Sequence, residues 1–264
     1  MPLSMKVLPG IYLLLLTLLI LSHCKKDVPV PNENWVAGVR WIDTRDGHSY
    51  TTIPIGNQIW IAENMAYLPG VNKVEDGSED QGKEKDPFYY VYDYNGTDVT
   101  AAKETSNYTK YGVLYNYNAA LKACPEGWHL PTDLEWMDLE SYLGMSSIDL
   151  TGQGYRGTDE GNLVKATWGW EFDTWKDKYG NGTNETGFTA LPGGDRYLDY
   201  TDYTLSSYII GDAGICGYWW SASKETDEQG NTLVWYRVLI YTFDKICRSR
   251  ETREQAMSVR CIKN

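Results

Sequence analysis

The alternation of apolar and polar positions divides the chain into short β-type runs near both ends and one clear helical period in the middle. "VAGVRWID" (36–43) reads as a strand and "RDG" (45–47) as a turn. "HSYTTIPIGNQIWIAENM" then gives two alternating runs around Gly56-Asn57, a strong hairpin signal. Pro54 donates no ladder hydrogen bond, so its strand lies at an edge or ends there. Residues 69–109 lose the period and read as a loop excursion with one strand at 88–94. "YGVLYNYNAALKAC" (111–124) starts as a strand and ends as a short helix. Over 132–143 the period becomes helical. Thr132 and Glu135 have the capping-box spacing. Leu134, Trp136, Met137, Leu139, Tyr142 and Leu143 supply a broad apolar face, and Gly144 is placed to end the helix in the left-handed conformation. "TDEGNLVKA" (158–166) predicts a second, shorter helix, and the Trp- and Gly-rich 167–187 reads as loop. "GYWWSAS" (217–223), "TLVWYRVLIYTF" (232–243) and "AMSVRCIKN" (256–264) read as strands. Strands at both ends with helices between them predict an α+β fold whose termini meet in one sheet.

The first residues stand apart from this pattern. Lys6 precedes an apolar run, Ile11 to Leu21, that falls short of the roughly 20 residues a bilayer core requires. It reads as a signal-peptide core. "LILSHCKKD" resembles the lipobox of bacterial lipoproteins, with Leu21 three residues before Cys24 and His23 where Gly or Ala is usual. The resemblance implies a signal peptide over 1–23, then an acylated Cys24 and flexible tether over 24–34. The acyl chains would make the membrane a partner, at about 0.8 kcal/mol per buried methylene. An ordinary secreted protein with a stray cysteine is the alternative. Residues 35–264 contain neither a Ser/Pro linker nor an internal repeat and read as one domain.

Composition sharpens the picture in two ways. The formal charge is −12, and losing residues 1–23 removes Lys6 and no acid. Such a surface repels phosphate backbones and argues against nucleic acid as a partner. The chain has 21 Tyr and 11 Trp but 4 Phe. Rings with a polar tip suit ligand platforms, although they also fill ordinary strand positions.

Five stretches, "DTRDGHSYTTIPIGNQIWIAENMAY", "YGVLYNYNAALKACPEGWHLPTDLEW", "GFTALPGGDRY", "GYWWSAS" and "SVRCIKN", resemble in order the signature blocks of the Fibrobacter succinogenes major paralogous domain. The resemblance spans residues 41–264, and the 69–109 and 198–216 segments depart from it. It implies a C-type-lectin-like fold of antiparallel sheets with two helices and long loops. It also implies a place on surface lipoproteins of Bacteroidetes and Fibrobacteres, but no reaction. "GWHLPTDLEW" is also similar to a block of formylglycine-generating enzymes, and "SVRC" to their "FRC" ending. Those enzymes bind copper with two cysteines five and ten residues before the last one. Ala256 and Glu251 stand there, so the thiolates for a soft copper site are missing.

Past Cys24, four cysteines allow three pairings, and spacing alone does not choose. The lectin-like resemblance implies Cys124–Cys261, with Cys216–Cys247 as the second bridge. A reactive thiol at Cys124 near a helix start is the competing reading. His48 follows a turn and reads as solvated, while His129 reads as packed. Acidic or amide-rich loops at 75–80 ("EDGSED") and 181–186 ("NGTNET") offer hard ligands for calcium, but neither has EF-hand spacing. No cofactor is expected.

These readings favour a non-enzymatic module that contacts a glycan or a surface protein through aromatic loops. Its candidate residues are Trp168, Trp170, Trp175, Trp219 and Trp220, with Asp195 and Arg196 as polar partners. Trp219 and Trp220 are adjacent on a strand, so one of them is expected to face inward. A structural subunit of a surface assembly and a degenerate relative of the formylglycine oxidases are the alternatives.

Overall fold

The structure, a computed structural model, describes residues 38–77, 86–174, 177–199, 207–251 and 255–264. Cys24, the tether and Trp175 lie outside the described residues. Strands β1 (Val39–Ile42), β2 (Ser49–Ile55) and β3 (Gln58–Ile61) open the fold as an antiparallel meander. Gly56, at φ 59°, takes the first place in the two-residue β2–β3 turn, where glycine is favoured. β2 is internal, but its pairing with β1 stops at Thr52, so Pro54 costs no ladder bond on that side.

Next come β4 (Tyr89–Tyr90), α1 (Val99–Lys103), α2 (Ser106–Tyr111), β5 (Leu114–Asn116) and α3 (Tyr117–Ala120). The expected 69–109 excursion therefore carries two short helices as well as a strand. Each begins on a side-chain cap: Asp98 accepts from the Thr100 and Ala101 N–H groups, and Thr105 from that of Tyr108. β6 (Trp128–His129) leads into α4 (Asp133–Tyr142). Beyond it lie α5 (Ser147–Leu150), β7 (Gly154–Arg156), α6 (Glu160–Val164), β8 (Phe172–Asp173) and β9 (Lys178–Tyr179). The chain closes with β10 (Gly193–Asp199), β11 (Ser207–Ala213), β12 (Cys216–Thr226), β13 (Thr232–Ile240), β14 (Ile246–Glu251), β15 (Ala256–Met257) and β16 (Ile262–Lys263).

The strands form an α+β arrangement that is mostly antiparallel. One sheet runs β1-β2-β3-β16-β6, so both ends of the described chain meet in it as expected. The other runs β4-β5-β15-β10-β12-β13-β14-β7, with β11 on β10, and β8 pairs β9 as a small hairpin. Cys124 and Cys261 are bonded, with Cα atoms 5.7 Å apart and 137 residues between them. This clasps the start of the β6 segment to the final strand.

The second expected bridge does not form. Cys216 and Cys247 are free and buried. Cys216 on β12 lies opposite Ile240, and Cys247 on β14 opposite Val238, so β13 stands between them. Two strand spacings put about 10 Å between their backbones, beyond the reach of a disulfide.

Helix α4 keeps its predicted ends but not its predicted face. The Thr132 hydroxyl accepts from the Glu135 N–H at 3.2 Å, and Glu135 accepts from the Thr132 N–H at 2.8 Å. Gly144 donates to the Ser141 carbonyl and Met145 to that of Glu140, the two bonds of a Schellman close, with Gly144 at φ 105°. The buried side chains are Asp133, Trp136, Leu139 and Glu140. Leu134 and Tyr142, expected inside, are 68% and 56% exposed. Arginines decide this. Arg156 donates to both Glu140 oxygens at 2.8 and 2.9 Å, and Arg237 bridges Glu140 and Asp133 at 2.6 and 2.7 Å. Arg248 reaches Asp133 at 2.7 Å and stacks on Trp235. Burying these acids is tolerable only because each is paired and hydrogen-bonded.

Strand β12 runs between two apolar cores. Trp219 packs with Trp60, Trp136 and Phe188, whereas Trp220 packs with Tyr115, Tyr117 and Val259. Both rings are buried, because both faces of the strand are covered.

Candidate functional site

A cleft of about 320 Å³ opens beside β2, α2 and the loop before β10. Its floor is a buried polar hub. Asn64 donates to the Tyr111 carbonyl at 3.0 Å and accepts from the Trp219 indole at 2.9 Å and from Arg260 Nε at 3.0 Å. Arg260 also donates to the Phe188 and Thr189 carbonyls, at 2.7 and 2.8 Å. Burial pulls its guanidinium down to about 9, against the opposing pull of the Glu63 charge. It stays charged at neutral pH with its donors engaged.

These bonds hold Thr189, on the cleft lining, at φ 54°, a conformation a β-branched residue rarely adopts. Asn184 reinforces it: its Oδ1 accepts from the Thr189 N–H at 2.7 Å, and its Nδ2 donates to the Thr189 hydroxyl at 2.9 Å. Strain held by several bonds at the edge of a cleft points to a shaped functional wall.

The remaining lining is aromatic and polar. Trp168 stands at the rim, 48% exposed. Lys110 on α2 places its ammonium 4.6 Å from the Tyr111 ring centroid and 6.0 Å from that of Trp168. His48 lies against Tyr50 with ring centroids 4.4 Å apart. Glu63 accepts the Thr51 N–H through one oxygen at 2.8 Å, and among the described residues its other oxygen has no partner. Tyr108 donates to the Ala66 carbonyl; burial, with help from the Asp46 charge, pushes its hydroxyl up to about 12. Thr51, Thr109 and Thr189 add hydroxyls to the lining.

Residues from all five stretches quoted above converge here, although they are spread along the chain. The first supplies His48, Thr51, Glu63 and Asn64; the second supplies Tyr111; the third Gly187 and Thr189; the last two supply Trp219 and Arg260 beneath the floor. The sequence profile of the Fibrobacter succinogenes major domain matches residues 53–263. The chain belongs to that family. No curated protein and no solved structure matches it. In this family member, Lys110 and Trp168 on the cleft rim come from outside the five stretches.

Of the described residues expected to bind ligand, Trp168 alone lines the cleft. Trp170 is buried, its indole donating to the Ala190 carbonyl at 3.1 Å. Trp219 and Trp220 are core residues, as described above. Asp195 and Arg196 are buried in β10. Arg196 pins the 73–76 segment by donating to the Val74 and Asp76 carbonyls, and it stacks 3.7 Å from the Tyr208 ring centroid. Asp195 is pushed up to about 8 by burial and by the neighbouring Asp212 charge. These side chains serve packing rather than an open surface.

Lys110, Glu63, Asn64 and Thr189 were not singled out in the sequence. The Asn64 partners lie 47, 155 and 196 residues away, and a Thr at positive φ leaves no trace in composition. Among the described residues, no three His, Cys, Asp or Glu side chains converge as a metal-binding group. In the 181–186 loop, Asn181 accepts from the Trp170 N–H and Asn184 bonds Thr189, so both serve the chain itself.

Proposed function

We propose that this protein is a carbohydrate-binding module of a lipid-anchored lectin-like type, tethered through Cys24 and facing the cell surface or the periplasm. The observation that carries this reading is the cleft. A half-exposed indole stands over a wall of hydroxyls, an amide-anchored floor, one carboxylate, one imidazole and one ammonium. An aromatic face takes the C–H side of a sugar ring, and the polar groups take its hydroxyls. The volume sits at the small end of ligand clefts. The Cys124–Cys261 bridge fits an oxidising compartment beyond the inner membrane.

The lining favours binding over hydrolysis. Cleavage of a glycosidic bond takes two flanking carboxylates, and among the described residues the lining contributes Glu63 alone. Binding in this reading needs no calcium.

A glycan array probed with the purified protein and with Trp168→Ala tests the proposal. Wild-type protein is expected to bind at least one polysaccharide, and Trp168→Ala to bind it at least tenfold more weakly with an unchanged unfolding midpoint. Removing metal with EDTA is expected to leave the signal intact. Capture of a surface protein with no glycan bound would overturn the reading.

A further inference from the structure

We infer that the cleft selects carboxylate-bearing sugars, such as uronic acids, and that Lys110 is the residue that reads the charge. The inference rests on the carbohydrate-binding reading above and names its substrate class. The Lys110 ammonium lies at the cleft rim over the ring that would carry the sugar, 6.0 Å from its centroid. Among the described residues it has no carboxylate within ion-pair distance. Of the neighbouring charges, Lys103 faces Asp46 at 3.9 Å, while Glu63, on the same lining, keeps one oxygen on the Thr51 N–H and leaves the other open to the cleft.

The position of Lys110 is set by packing. A Cβ built on Gly169 would lie 3.6 Å from Lys110 Cε, so the side chain runs close against that backbone with Tyr111 beside it. An ammonium held next to a stacking face offers a point charge at a defined offset from the sugar ring, which suits a ring carboxylate. The chain as a whole has 36 acidic residues against 24 Lys and Arg and repels polyanions at long range. A single local cation in the cleft is then what distinguishes an acidic sugar from a neutral one, and its contribution is salt-sensitive.

The test uses polygalacturonate, alginate and hyaluronan, each beside its carboxyl-reduced neutral form, with the neutral polymers xylan and laminarin added. Affinity electrophoresis compares wild type, Lys110→Gln, Lys110→Arg and Trp168→Ala. At least one acidic polymer should be bound tenfold or more tightly than its reduced form. Lys110→Gln should cut that ratio below threefold, Lys110→Arg should largely keep it, and Trp168→Ala should weaken both forms. A reduced form bound as well as its parent, or a ratio unchanged in Lys110→Gln, would overturn the inference. Binding confined to neutral polymers and sensitive to Trp168→Ala would also overturn it while leaving the carbohydrate reading intact. No binding to any polymer would remove both.

Discussion

Two buried carboxylates of this protein respond to pH in opposite directions. Burial alone would push Asp133 up, but hydrogen bonds and charge from Arg248 and Arg237 outweigh it and hold the group below its ordinary 3.8. Its contribution to stability is therefore present above the unfolded value and is lost as pH falls through the folded one. Asp195 is pushed the other way, to about 8, by burial and by Asp212. Between 3.8 and about 8 the folded chain keeps a proton that the unfolded chain has released, so Asp195 erodes stability as pH rises across that window, by at most about 1.4 kcal/mol per unit. Asp195→Asn is expected to gain more stability over wild type at pH 8 than at pH 5 in urea unfolding. An equal difference at both pH values would contradict the assignment. Glu140→Gln leaves Arg156 and Arg237 short of a buried partner and is expected to cost about 3–5 kcal/mol by the same measurement. Trp168→Ala, at an exposed rim, is expected to cost binding and almost no stability. These contrasts were only partly legible in the sequence. Trp168 could be named as an aromatic in a loop, but the burial of Asp195 and Arg196 follows from β11 and the 73–76 segment closing over them.

At the scale of elements, what is local was legible and what is distant was not. The capping box at Thr132 and the Schellman close at Gly144 use residues within a few positions of each other, so α4 could be bounded from sequence. Its buried face could not, because the partners of Asp133 and Glu140 lie on β7, β13 and β14, up to 115 residues away. Helices α1 and α2 span five and six residues, too short to show a period, and in sequence they read as loop. Thr132→Ala removes one half of the capping box and is expected to cost about 1 kcal/mol, read as a lowered urea midpoint without a change in slope. A change above about 3 kcal/mol would mean that Thr132 does more than cap.

At the scale of the molecule, one covalent clasp and one polar hub tie distant parts of the chain together. Thiol counting on denatured, unreduced protein, Cys24 aside, should find two free groups, Cys216 and Cys247. Zero would restore the second bridge, and four would remove the first. Burial pushes the Cys216 thiol up to about 12, so it should be slow to alkylate in the folded state. Opening the Cys124–Cys261 bridge with Cys124→Ala/Cys261→Ala is expected to cost about 2–5 kcal/mol, because it closes 137 residues of chain. The same clasp lies in the stretch whose final arginine, Arg260, shapes the cleft floor, so fold and site share one anchor. The most direct measurement is a crystal structure of the protein soaked with the oligosaccharide its array response selects. A sugar ring should stack on Trp168 in the Asn64–Arg260 cleft; a sugar seated instead on the exposed Phe172–Tyr179 pair of the β8–β9 hairpin would overturn the carbohydrate reading of the cleft.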